Sequence, residues 1–157
     1  MTKEMAVYDI LENLSIPFEI IEAKSTSHKP LDNKQDCYCN SVLLNSNLHN
    51  KTYMIISKSD KQIDHSKLAC VVKEDTLTTS QDHHLYYELN LTPDCVSPFG
   101  LIYDLDTKIH LVIDQDLVGE ERMAIHPNVS HARIVLSHKH FKSYLSWIQN
   151  EVQYVEI

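Results

Sequence analysis

The chain has 157 residues, of which 43% are hydrophobic, and its formal net charge at pH 7 is -8. This length suits a single domain over residues 1–157, and no apolar run approaches the roughly 18 residues of a membrane span, so we expect a cytoplasmic protein with no membrane partner. The acidic balance excludes a broad surface that follows DNA phosphates but allows contact with one end of an RNA, and the presence of just two glycines excludes glycine-rich nucleotide-binding loops.

Patterns in the first half of the chain predict two helices and three strands. Apolar residues recur at helical spacing over residues 3–14, and Pro17 ends that helix because proline cannot continue one. Two apolar runs, residues 41–44 and 53–56, are separated by a polar stretch and predict a hairpin with a long connection. The other predictions here are a strand over residues 18–22, a polar loop over residues 23–36, and a short helix through Leu68 that Asp64 caps.

The second half predicts a helix, a run of four strands, a further helix and a closing strand. Ser80 precedes apolar residues at helical spacing and can cap their helix, and Ser137 can do the same for the final helix. Short connections between successive strands favour antiparallel pairing in a meander. The predicted strands cover residues 96–103, 108–114, 122–127, 132–136 and 152–157. The whole predicts an α+β fold with a curled, mixed and largely antiparallel sheet against which the helices pack.

Histidine and cysteine are the residue types that could carry metal or covalent chemistry here. Ten histidines and four cysteines are present, but none follows the spacing of a structural zinc site, and the close pair His138 and His140 lies on different faces of a helix. Cys39 and Cys95 could act as nucleophiles only beside an activating base or cation, whereas buried reduced thiols are inert. We therefore expect no metal and no cofactor, with thiol catalysis as an alternative.

Two segments place special residues inside apolar runs, where a plain strand has no use for them. Pro98 and Gly100 flank Phe99, and His126 stands directly before a proline. Such an imidazole can be a half-buried ring satisfied by a backbone carbonyl, or it can line a ligand pocket. The pocket hypothesis takes apolar walls from Val96, Phe99 and Met123, and hydrogen-bonding groups from His126 and Asn128.

Taken in order, these segments closely resemble the YbaK-like editing domains associated with prolyl-tRNA synthetase. The free-standing prolyl-tRNA deacylase branch is the most similar. The resemblance spans nearly the whole chain, and it rests on residues 14–22, 59–68, 96–101, 112–117, 120–122, 126–128 and 135–137.

The resemblance implies an enzyme that hydrolyses a wrongly attached small amino acid, with alanine the first choice, from proline tRNA. It implies no metal or organic cofactor, and the terminal ribose hydroxyl of the substrate would help to activate the attacking water. The implied partners are the acceptor end of the tRNA and, by association, prolyl-tRNA synthetase. The implied site has His126, Pro98 and Gly100 at the reacting group, and Val96, Ser97, Phe99, Asn40, Lys61, Asn128 and Met123 against the substrate.

Three features depart from the family pattern. Cys39 stands where the family has a lysine that meets the nucleotide end, and Asp94 stands where the loop before Pro98 has a glycine. The segment between Ala23 and Asn40 is also short beside the helical stretch common in the family. A second hypothesis follows from these departures, namely a non-catalytic module that binds an aminoacyl-tRNA, an amino acid or a partner protein.

Overall fold

A computed structural model describes residues 1–22 and 36–157 of the chain. The helices within these residues are α1 (Lys3–Asn13), α2 (His65–Val71), α3 (His83–Glu88) and α4 (His138–Ile148). The strands are β1 (Glu19–Glu22), β2 (Cys37–Ser46), β3 (Thr52–Lys58), β4 (Leu77–Thr79), β5 (Ile109–Asp114), β6 (Met123–Ile125), β7 (Ala132–Leu136) and β8 (Val152–Val155). The loop predicted over residues 23–36 lies outside the described residues, except for Asp36, which precedes β2.

The strands form one mixed sheet in the order β1-β7-β6-β2-β3-β5-β8, with β4 added along β2. The predicted mixed sheet is thus confirmed, as is the hairpin of β2 and β3, whose register pairs Asn40 with Ser57. The predicted meander of the later strands is wrong, because β5 runs parallel to both β3 and β8. Of the neighbours expected there, β6 and β7 pair antiparallel. Parallel neighbours far apart in sequence leave no local signal, so short connections alone could not predict them.

Strand β2 joins the two parts of the sheet. Its first residues, Cys37 and Tyr38, run parallel to β6, and from Cys39 onward it pairs antiparallel with β3. This change of partner opens the sheet beside the end of β6. Asn40 and His126, the residue that follows β6, both line a cavity at this opening.

Side chains of the sheet alternate between two apolar clusters, as the two-residue period of a strand requires. In β3, Met54 and Ile56 belong to the larger cluster, which contains α1 and α4, whereas Ile55 belongs to the smaller cluster beneath α2. The final helix contributes the face predicted for it, and its buried residues include Phe141, Tyr144, Leu145 and Ile148.

Helix caps follow the predicted chemistry with one correction. Asp64 accepts hydrogen bonds from the backbone at the start of α2, and Ser137 accepts one at the start of α4. Ser80 does not cap α3. Asp82 does so instead, two residues later, while the Ser80 hydroxyl accepts from the side chain of Asn45 on β2. Both residue types suit a cap, so the sequence alone did not decide between them.

The first of the four predicted later strands is absent, because residues Pro98–Tyr103 form a 3-10 helix. Pro98 occupies the first turn, where its fixed φ angle suits a helix and its missing N–H is not needed. Ser97 precedes it with extended backbone and accepts a hydrogen bond from Phe99 N at 3.1 Å. The apolar run is buried as expected of a core strand, but proline and the serine cap determine its conformation. Among the described residues, no helix is long and apolar enough to cross a membrane.

Candidate functional site

A cavity of about 570 Å³ opens where β2 changes partner. Four separate segments line it: the start of β2, the end of β3 with the turn after it, the turn before the 3-10 helix, and the residue that follows β6. Four predicted site residues meet there, namely Asn40, Lys61, Val96 and His126. Its size lies in the range of small-molecule sites, which is about 300–1,000 Å³.

His126 lines this cavity as a half-buried imidazole. Its Nδ1 lies 3.0 Å from the carbonyl oxygen of Ala132, and because a carbonyl can only accept, Nδ1 carries the proton. Burial lowers the pKa of His126 below its ordinary value, which favours the neutral ring. In the neutral ring, Nε2 then holds a lone pair. Both possibilities raised by the sequence therefore apply, since a backbone carbonyl satisfies one nitrogen and the imidazole also lines a cavity.

Asn40 and Ser57 form a polar pair on one wall. They lie opposite each other in the β2–β3 ladder, so their side chains leave the sheet on the same face. Asn40 is exposed and Ser57 is buried, so the wall is polar both at the surface and in the interior. Val42 follows Asn40 on that face and adds an apolar surface to the cavity.

Lys61 lines the cavity, but its ammonium is already held by two carboxylates. Its Nζ lies 2.9 Å from Asp114 Oδ1 and 2.6 Å from Asp116 Oδ2, and the side chain of Asp114 is buried. These hydrogen bonds raise the pKa of Lys61, so its ammonium stays charged. The two carboxylates together carry more negative charge than the ammonium carries positive charge. Lys61 is thus a weak anchor for a phosphate.

Cys39, where the resemblance expects a lysine, lies in the core. It is 6% exposed and belongs to the larger apolar cluster. Its opposite neighbour in β3 is Lys58, whose Nζ lies 3.4 Å from Glu120 Oε1. A hydrogen bond with Cys37 and burial raise the pKa of the Cys39 thiol well above its ordinary value. Burial likewise raises the pKa of the Cys95 thiol to about 11, so neither cysteine is a thiolate ready for attack.

The residues of the 3-10 segment do not line the cavity and pack into the core next to it. Phe99 is fully buried, with its ring centroid 5.0 Å from that of Tyr144, and the Tyr144 hydroxyl donates to the Pro98 carbonyl at 2.8 Å. A Cβ on Gly100 would lie 2.7 Å from a methyl carbon of Leu91. The close approach predicted at Gly100 is therefore to a core side chain, and a ligand does not reach it.

Ser97 and two other predicted contact residues are also buried. The Ser97 hydroxyl donates to the carbonyl oxygen of His126, which ties the turn to the residue at the cavity wall. Met123 is a fully buried residue of β6. Asn128 is 2% exposed with a left-handed φ of 66°, and its side-chain amide has no hydrogen-bond partner among the described residues. These three residues do not line the cavity beside His126.

Five polar residues that line the cavity were not predicted as site residues, namely Ser41, Ser57, Gln62, His65 and Asp94. His65 opens α2, and the capping Asp64 was a usable signal for its place. Asp94 was noted as a departure from the family and not as a site residue. Ser57 had no signal, because a serine at the end of an apolar strand is ordinary.

A larger groove of about 850 Å³ lies at the opposite end of the β6–β7 pair. Arg122 is one of its charged residues, and its guanidinium is paired with Glu19 and with Asp36. Ser137, which also lines the groove, forms hydrogen bonds with the α4 residue His140.

The cavity beside His126 is the better candidate for a site, because four predicted site residues line it and none lines the groove. In the parts of the chain that the structure describes, no three histidine, cysteine, aspartate or glutamate side chains are arranged to hold a metal.

Comparison with known proteins agrees with this reading of the chain. A curated relative, the prolyl-tRNA editing protein ProX of Acetoanaerobium sticklandii, is 26% identical over 167 aligned positions that cover 100% of this chain and 99% of that protein. A crystal structure described as a candidate trans-editing enzyme for prolyl tRNA synthetase has a TM-score of 0.73 at 14% identity, with 100% of this chain and 98% of that one covered. The hypothetical protein APE2540 has a TM-score of 0.69 at 10% identity, with 93% and 95% covered.

At such identities the two structures establish the fold alone. The sequence itself goes further, because residues 27–144 match the family described as the aminoacyl-tRNA editing domain. That match covers most of the chain, and this protein belongs to the aminoacyl-tRNA editing domain family.

Proposed function

We propose that the chain, as one editing domain over residues 1–157, acts in trans to hydrolyse a small wrongly attached amino acid, alanine first, from proline tRNA. The observation that carries the proposal is the cavity beside His126, which collects Asn40, Lys61 and Val96 from separate segments. The name of the curated relative, a prolyl-tRNA editing protein, supports the choice of tRNA.

The size of the cavity supports a substrate larger than an amino acid. About 570 Å³ is more than an alanyl group needs, so the amino acid and the terminal nucleoside would enter together. Val42 and Val96 would bound the amino-acid side chain, and such walls discriminate by size to a modest extent, about 10–200-fold for each methylene. Asn40 would contact the ribose, and Lys61 would offer its remaining N–H to the nucleotide.

The reaction would be the addition of water to the ester carbonyl, followed by loss of the ribose oxygen. The water oxygen bonds to the carbonyl carbon, the carbon–oxygen bond to the ribose breaks, and the ribose oxygen takes up a proton. An aminoacyl ester is already activated, so no nucleophilic side chain is required. Neutral His126 would accept a hydrogen bond at Nε2 from the water or from the neighbouring ribose hydroxyl, and would so orient the reacting groups.

The 3-10 segment would act by holding the turn at residues 93–96 in place. Ser97 links that turn to the His126 carbonyl, and Tyr144 fixes the carbonyl of Pro98. Backbone groups of the turn near Val96 would then meet the aminoacyl group in a fixed geometry, which is the form of catalysis that positioning can supply. Pro98 and Gly100 keep a role in this proposal, but as support for the site.

The test is a comparison of ester loss from proline tRNA charged with alanine, cysteine or proline. We expect purified protein to accelerate loss of the alanyl ester most, that of the cysteinyl ester less, and that of the cognate prolyl ester least. Equal rates with and without protein for all three esters would contradict the proposal. A binding measurement with the same tRNAs would then show whether the chain is the non-catalytic module of the second hypothesis.

A further inference from the structure

Asp94 stands at the mouth of the cavity, in a turn of defined geometry. The N–H of Cys95 donates to the Thr92 carbonyl at 2.9 Å, which closes the turn around Asp94. The exposed Asp94 lines the same cavity as His126 and Asn40. Hydrogen bonds from the Thr92 side chain and from its own backbone N–H lower the pKa of Asp94, so the carboxylate stays ionised.

The charge around the cavity is negative. With histidines counted as neutral, the charged residues among those that line it are Asp94 and Lys61. The ammonium of Lys61 faces Asp114 and Asp116, so this group carries one positive and two negative charges before Asp94 is added. A cavity of this kind disfavours a phosphate or an acidic side chain and favours a cation.

The cavity also offers hydrogen-bond acceptors. The Asp94 carboxylate and the Asn40 side-chain oxygen can both accept hydrogen bonds, and both residues line it. A protonated amine supplies a positive charge and three N–H donors. In an aminoacyl ester, the α-ammonium and the reacting carbonyl carbon are both bonded to Cα. The α-ammonium is therefore always close to the reacting carbonyl, whichever amino acid is attached.

Resting on the proposed function, we propose that Asp94 makes this site selective for an amino acid whose α-amino group is free and protonated. Asp94 would bind the α-ammonium directly, with the Asn40 side-chain oxygen as a further acceptor, while Nε2 of His126 stays with the water or the ribose hydroxyl. An ester whose amine is acylated, as in a peptidyl or formyl derivative, lacks the charge and two of the donors. The site would therefore act on aminoacyl esters and reject N-acylated ones.

The test compares alanyl and N-acetylalanyl esters of the same proline tRNA, at a mildly acidic pH that keeps the amine protonated. The wild-type protein should favour the free amine by about tenfold or more, since loss of a charged hydrogen bond is worth about 1.5–3 kcal/mol. Asp94→Asn should slow hydrolysis of the alanyl ester by about tenfold and leave the N-acetyl ester unchanged. The matched control is Asp106→Asn, at an exposed aspartate paired with Lys108 away from the cavity, and it should change neither rate.

A second measurement separates this proposal from the proposed function. Binding is measured for a non-hydrolysable alanylamino-adenosine and for its N-acetyl form, with wild type and with Asp94→Asn. If no ester is hydrolysed but wild type prefers the free-amine analogue and Asp94→Asn does not, the deacylase proposal fails and the amine selectivity stands. Hydrolysis of both esters at equal rates would overturn the selectivity and leave the deacylase intact. Equal binding of both analogues, with no hydrolysis, would overturn both.

Discussion

Two neighbouring regions of the chain have different roles, one lining the cavity and the other supporting it from the core. The turn at residues 93–96 lines the cavity, whereas residues 98–101, directly after it, are buried against α4. The second region has the unusual proline and glycine, yet its contacts are with Tyr144 and Leu91. The residues most conspicuous in a sequence can thus hold a site in shape without lining it.

The largest effect on stability is expected from truncating a buried side chain of the second region. Phe99→Ala would remove a fully buried ring that packs against Phe141 and Tyr144. We expect a loss of about 3–5 kcal/mol in the free energy of unfolding, from lost burial and the cavity left behind. Denaturant unfolding measures it. Leu105→Ala is the control, because Leu105 is exposed, and a similar loss there would remove the basis of the comparison.

A smaller effect is expected at the hydrogen bond that joins the 3-10 segment to α4. Tyr144→Phe leaves the ring in place but leaves the Pro98 carbonyl without its donor. We expect a loss of about 1–3 kcal/mol in unfolding free energy, the cost of an unpaired buried carbonyl. The matched control is Tyr87→Phe on the exposed side of α3, which should cost nothing measurable. If both variants unfold at the same denaturant concentration as wild type, the tether to Pro98 does not hold the turn.

Local patterns in the sequence predicted most of the elements and two residues that line the cavity, Val96 and His126, while the family resemblance added Asn40 and Lys61. Helix α4 and the β2–β3 hairpin followed from apolar spacing, because a single face or a single turn determines them. Strand β4 was missed since three residues are too short for a pattern, and the parallel pairing of β5 with β3 joins residues more than fifty positions apart. The 3-10 helix was read as a strand because burial on all sides gives a continuous apolar run in either conformation.

The site divides in the same way. Asn40, Lys61, Val96 and His126 do line one cavity, but which side chains share that wall depends on the pairing of Asn40 with Ser57 and on the change of partner in β2. Neither can be read from local spacing. The double carboxylate at Lys61 is likewise a product of the fold, since Asp114 and Asp116 lie more than fifty residues further along the chain.

The most direct test of the central claim compares His126→Gln with Phe99→Leu in hydrolysis of alanyl proline tRNA, expressed per folded molecule, with exposed His131→Gln as the control. We predict that His126→Gln slows hydrolysis by about 100-fold, the typical loss of one oriented catalytic group, with a smaller drop in the unfolding midpoint than Phe99→Leu causes. Phe99→Leu should lower the midpoint and keep the rate of each folded molecule within about threefold of wild type. The opposite pattern, with full activity in His126→Gln and lost activity in folded Phe99→Leu, would contradict the account and place the site at the 3-10 segment.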